Sequence, residues 1–186
     1  GAAVRSSPVS ILNSPPYVST VEIRLPDGAS VPTRATTLTG VAQGGDPDGD
    51  QVTGAFVWRR GAQVLGTNTT LGPANFSRGD VITLTVTPSD GTTSGPSLTS
   101  APTTIMNSLP STPTVTVTPA RPGLGDALSC RVGTASSDLD GDPLTYRIEW
   151  YNRDTLTSYV APQATAATIV TVPASELVVG VQCGGS

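Results

Sequence analysis

Apolar and polar residues alternate along several short stretches of this chain, and turn-forming residues separate the stretches. Ile82, Leu84 and Val86 alternate with Thr83 and Thr85, while Leu144, Tyr146, Ile148 and Trp150 alternate with Thr145, Arg147 and Glu149. Val52, Gly54, Phe56 and Trp58 fall on a similar alternation, and Val179, Val181 and Cys183 on another. A period of two marks strands with one face buried and one face wet. Because the runs are short and bounded by Gly, Pro, Asn and Asp, the pattern predicts an all-β chain rich in tight turns.

The alternating stretches belong to an internal repeat. The turn Asp46-Pro-Asp48-Gly49-Asp50 recurs as Asp138-Leu-Asp140-Gly141-Asp142, and Trp58 recurs as Trp150, both 92 positions later. A repeat of about 93 residues is the size of one seven-stranded sandwich, so the pattern predicts two tandem immunoglobulin-like antiparallel β-sandwiches. Trp58 and Trp150, at matching places on alternating strands, are expected in the two cores. Cys130, Trp150 and Cys183 follow the Cys…Trp…Cys order of an immunoglobulin-type sandwich. Leu38 and Leu84 take the corresponding places in the first copy. A Cys130–Cys183 bridge between sheets should stabilise the second domain by about 4 kcal/mol. Two buried thiols in a reducing compartment are the alternative.

The two ends of the chain break the symmetry of the repeat. Gly1, Val4, Ser6, Pro8, Ile11, Asn13, Ser14 and Pro16 match Gly95, Leu98, Ser100, Pro102, Ile105, Asn107, Ser108 and Pro110, always 94 positions apart. Residues 95–106 are expected to form the last strand of the first domain, so residues 1–12 resemble a last strand placed ahead of it. The second domain runs out at Cys183-Gly-Gly-Ser186, where its penultimate strand ends. The expected division is a donor strand at 1–12, a sandwich at 13–107 and a sandwich lacking its last strand at 108–186. An unfinished sandwich exposes a backbone edge that accepts an extended segment. Residues 1–12 of a neighbouring subunit, with Val4, Pro8, Val9 and Ile11 as the polymerisation strand, would complete it. Such a front-to-back contact propagates into a head-to-tail homopolymer. The alternative is that the chain is one period of a longer tandem array.

Composition narrows the chemistry further. The chain has 186 residues, 20 Gly, 17 Pro, no His and a net charge of −4, and all 10 basic residues are Arg. Without His there is no Ser-His-Asp or Cys-His nucleophile system and no His-ligated metal. Without Lys there is no Schiff base and no Lys–Asn isopeptide staple. The acidic balance offers no patch for nucleic acid, and no apolar run is long enough to insert into a membrane. An enzyme is not expected. Gly1-Ala2-Ala3 suits a start left by signal cleavage, which with the Cys pair points to a secreted, cell-surface location.

Asp46, Asp48 and Asp50, and again Asp138, Asp140 and Asp142, place three carboxylates two residues apart in a turn, a donor set suited to Ca²⁺. A turn using Asp for side-chain-to-backbone bonds and Gly for a positive φ is the plainer reading. Asn68-Thr-Thr70 and Asn75-Phe-Ser77 are glycosylation triplets, so glycans are a candidate modification.

The stretch Asp138-Leu-Asp-Gly-Asp-Pro-Leu-Thr-Tyr146, with Trp150 beyond it, resembles the tandem immunoglobulin-like, cadherin-like and polycystic-kidney-disease-type repeats of bacterial surface proteins. The resemblance extends over both copies, and the first departs from it at Gln51 and Gly54. It implies β-sandwiches outside the cell in adhesive or scaffolding roles, often with calcium at the acidic turn. The expected function is therefore a structural subunit of an extracellular fibre or surface array. A binding or adhesin module, or a spacer within a longer surface protein, is the alternative.

Overall fold

A computed structural model of the chain describes residues 1, 3–123, 125–152, 158–165, 169–172 and 181–185, with side-chain surroundings described as far as Tyr146. Val179 lies outside the described residues, as do the side chains of Trp150 and Cys183. The protein is all-β and its strand pairs are antiparallel. It divides into two compact units, Gly1–Asn107 and Ser108–Ser186.

Unit 1 contains β1 (Tyr17–Arg24), β2 (Leu38–Gly45), β3 (Thr53–Arg60), β4 (Gln63–Gly66), β5 (Thr70–Leu71), β6 (Val81–Ser89), β7 (Leu98–Thr99) and β8 (Thr103–Thr104). One sheet runs β1-β2-β5; the other runs β4-β3-β6-β7, with β8 also on β6. The two sheets share one core. Val21, Leu38 and Leu71 come from the first sheet, and Trp58, Ile82, Leu84 and Val86 from the second. Phe76 and Ile105 belong to the same cluster.

Alternation explains β6 best. Ile82, Leu84, Val86 and Pro88 are buried while the threonines between them are not, so one face of the strand supplies much of the core. Each fully buried Leu or Ile contributes about 1.5–3 kcal/mol, enough to fix which face turns inward. Along β3 only Trp58 is fully buried, and Gly54 is exposed. The indole also satisfies its polar edge, with Nε1 donating to the Asn68 carbonyl at 2.8 Å.

Unit 2 contains β9 (Val115–Thr118), β10 (Leu128–Val132), β11 (Tyr146–Asn152), β12 (Ser158–Thr165), β13 (Ile169–Val172) and β14 (Val181–Gly185). Its sheets run β9-β10-β13 and β12-β11-β14. Counted in chain order within each unit, the first, second and fifth strands make one sheet in both units. The fourth, third and sixth make the other. Registers agree as well: Trp58 lies opposite Leu84, and Trp150 opposite Cys183. The difference is at the edge. In unit 1, β7 and β8 flank β6; among the described residues nothing flanks the far side of β14.

Candidate functional site

The open side of β14 corresponds to a position whose filled form is visible in unit 1. There Leu98 and Thr99 pair with Val86 and Thr85, and Thr103 and Thr104 pair with Ile82 and Val81. Three residues, 100–102, stand against two on β6, so the edge carries a bulge. Ser100 sits in it and bonds Leu84 from both sides: its N–H donates to the Leu84 carbonyl at 2.8 Å, and its Oγ accepts the Leu84 N–H at 3.1 Å. Pro102 needs no ladder partner and fits a bulge for that reason. Beyond it Ile105 is 1% exposed in the core, with its N–H donating to the Asp80 carbonyl.

Residues 1–12, which match this edge in sequence, form no strand among those described. Val4 is 97% exposed, Val9 89% and Ile11 95%. Pro8 is exposed too. Immediately afterwards Asn13 Nδ2 donates to Asp90 at 2.8 Å and the Ser14 N–H donates to Asp48 Oδ2 at 2.5 Å.

The second bond gives the acidic turns a structural role. In unit 1 the Asp46 carboxylate accepts the Asp48 N–H at 2.7 Å, and Gly49 takes φ +85° to close the turn. Asp48 is thereby aimed at Ser14. In unit 2 Asp138 accepts the N–H groups of Asp140 and Asp142 at 2.7 and 3.2 Å, Gly141 takes φ +80°, and Asp140 accepts the Ser108 N–H at 2.6 Å. Each turn therefore holds the segment that leads into its own unit's first strand. The expected calcium ligand sets, Asp46, Asp48 and Asp50 and Asp138, Asp140 and Asp142, lie in these two turns. Among the described residues no group of three carboxylates is placed to hold a metal ion. One oxygen each of Asp46, Asp48, Asp138 and Asp140 accepts a backbone N–H, while Asp46 Oδ2 is buried without a hydrogen-bond partner. Sequence reasoning missed this clamp. The available signal was that the acidic turn and the Asn-Ser pair recur together, Ser14 and Asp48 being 34 residues apart and Ser108 and Asp140 32 apart.

Two carboxylates of unit 1 are held in their charged form. At Asp80 burial pushes the pKa up, but the Ser77 N–H and the Arg60 guanidinium together outweigh it and draw it below its ordinary value. At Asp90 the Thr93 N–H, the Asn13 amide and the Thr92 N–H draw it far down.

Matching prolines differ in their cover. Pro16 is fully buried in unit 1, whereas Pro110, its counterpart, is exposed. Gly95 packs against the Pro16 carbonyl: a Cβ on Gly95 would lie 1.8 Å from its oxygen, so only glycine fits. Pro110 instead borders a cleft of about 160 Å³, lined by residues 110–113, Ser136 and residues 144–146.

The remaining candidates fall in scaffold positions. Leu38 and Leu84 meet in the unit 1 core, and Cys130 is fully buried on β10. Asn68 and Asn75 are both exposed; Asn75 Nδ2 donates to the Gly72 carbonyl at 3.0 Å. Among the described residues no helix is long and apolar enough to cross a membrane. No family model and no curated protein sequence matches the chain.

Proposed function

We propose that this protein is a non-enzymatic structural subunit of an extracellular fibre or surface array, whose copies join head to tail by β-strand donation. One observation carries the reading: among the described residues the far edge of β14 has no partner where β6 has one, while the exposed N-terminal segment matches that partner's sequence at Gly1, Val4, Ser6, Pro8 and Ile11. An unpaired edge and an unpaired strand of matching pattern are complementary surfaces. They lie in different units of one chain, so the contact between copies is heterologous and extends into a filament.

In this reading both units are immunoglobulin-like sandwiches, which their shared strand order supports. Cys130 is joined to Cys183, in keeping with the lack of a free thiol among the described cysteines, and the bridge assigns the protein to an oxidising location. The absence of His and Lys supports a role without catalysis.

The reading is tested by comparing the whole chain with one lacking residues 1–12, using sedimentation and electron microscopy. The whole chain should form concentration-dependent multimers and filaments, and the truncated chain should sediment as a monomer with unchanged circular dichroism. Filaments from the truncated chain would remove donation by this segment. A whole chain that stays monomeric would favour the tandem array, in which residues 1–12 complete a preceding sandwich of the same polypeptide.

A further inference from the structure

The way unit 1 builds its own edge specifies how the donated strand would enter, a step that rests on the strand-donation reading. We propose that residues 4–11 of one copy lie against β14 of a second copy in the register that residues 98–105 hold against β6. The correspondence Trp58–Leu84 with Trp150–Cys183 places Cys183 where Leu84 stands. Val4 then lies opposite Gly185, Arg5 opposite Gly184 and Val9 opposite Val181. Ser6 brackets the backbone of Cys183 as Ser100 brackets Leu84, and Ser6–Pro8 forms the bulge.

This register sorts the segment by face. Leu98, Ser100, Thr103 and Ile105 turn toward the interior in unit 1: Ser100 and Ile105 are buried, Thr103 is half-buried, and Leu98 is 36% exposed at the sandwich end. Thr99 and Thr104 are exposed. By the same pattern Val4, Ser6, Val9 and Ile11 face the acceptor's core, with Ile11 as anchor, while Arg5 and Ser10 face water. A slip of one residue would invert the assignment and bury Arg5.

An independent feature agrees with this register. Gly1 stands at the place of Gly95, and the same 94-residue offset puts Pro110 at the place of Pro16. Gly1 of the incoming copy would therefore arrive over the exposed Pro110, beside its cleft. The bulge, the anchor and this glycine–proline contact thus share one alignment without insertions. The occupant it fits is a second copy of this chain.

Two experiments on the full chain read the register. Because residues 1–12 make no strand, substitutions there leave the fold of the unassociated chain intact, which circular dichroism checks. Ile11→Asp and Val9→Asp should weaken association at least about tenfold, and Arg5→Gln and Ser10→Asp should leave it within about threefold. In the second, Arg5→Cys is combined with Gly184→Cys. The corresponding hydroxyls of Thr99 and Thr85 are 2.8 Å apart, so these cysteines should link copies into a ladder on a non-reducing gel. Ser10→Cys with Gly184→Cys, about 14 Å out of register, should not. Association that tolerates Ile11→Asp, or a ladder from the control pair alone, overturns the register while leaving strand donation standing. An unsubstituted chain that never associates overturns both.

Discussion

Unit 1 and unit 2 share strand order and register but not the treatment of their sixth strand. Where β6 has neighbours on both sides, β14 has one among the described residues. The matching prolines differ as well: Pro16 is buried and Pro110 is exposed. The core is tied differently as well. Unit 1 brings Leu38 and Leu84 together by packing alone, whereas unit 2 has Cys130 and Cys183 on the matching strands. In the proposed reading a bridge between these cysteines compensates for the smaller edge.

The largest expected effect breaks that compensation. Replacing Cys130 with Ser, or reducing the proposed bridge, should destabilise unit 2 by about 4 kcal/mol while leaving unit 1 untouched. Hydrogen exchange read separately on β2 and β10 during urea unfolding would separate the units. Equal loss in both, or no loss in β10, would mean that the cysteines do not take over the role of the leucine pair.

A smaller effect separates the two copies of the edge sequence. Ile105→Ala removes a side chain that is 1% exposed and should cost unit 1 about 3 kcal/mol. Ile11→Ala removes one that is 95% exposed and should leave the unassociated chain unchanged. Thermal unfolding of dilute protein measures both. If Ile11→Ala lowered stability there, the segment would already be packed within its own chain, and it would be no donor.

The all-β fold and its antiparallel strands were legible because they are written in local alternation. Ile82, Leu84 and Val86 announce their buried face directly, and the paired Trp58 and Trp150 fix the repeat. The local turn, with Asp bonding backbone N–H groups and Gly at positive φ, was legible, but the hold of Asp48 on Ser14 and of Asp140 on Ser108 was not. That hold depends on N–H groups that come from more than thirty residues away. The glycine–proline contact was hidden for a similar reason. Gly95 and Pro16 each look like ordinary turn residues, and only their meeting across the unit shows why a side chain is excluded.

The matching asparagines at the two lead-in segments offer the finest contrast. Asn13 donates its amide to the Asp90 carboxylate, while Asn107 accepts from the Arg78 guanidinium. One anchor titrates and the other stays charged at every relevant pH. The N–H groups of Thr93 and Thr92, both at 2.6 Å, and the Asn13 amide stabilise charged Asp90, so its folded pKa lies well below the ordinary 3.8. Between those two values the unfolded chain binds the proton that the folded chain refuses. The stabilisation is therefore complete above the ordinary value and drains away as pH falls below it toward the folded one. Side-chain amide resonances followed by NMR during acidification should show Asn13 loosening with Asp90, whereas Asn107 should keep its position until the unit unfolds. Asp90→Asn keeps an oxygen for the backbone N–H groups but turns an amide toward the Asn13 amide. It should weaken the Asn13 anchor at neutral pH and flatten its acid response. If Asn13 and Asn107 instead responded alike, the carboxylate would not be what fixes the chain just after the exposed segment.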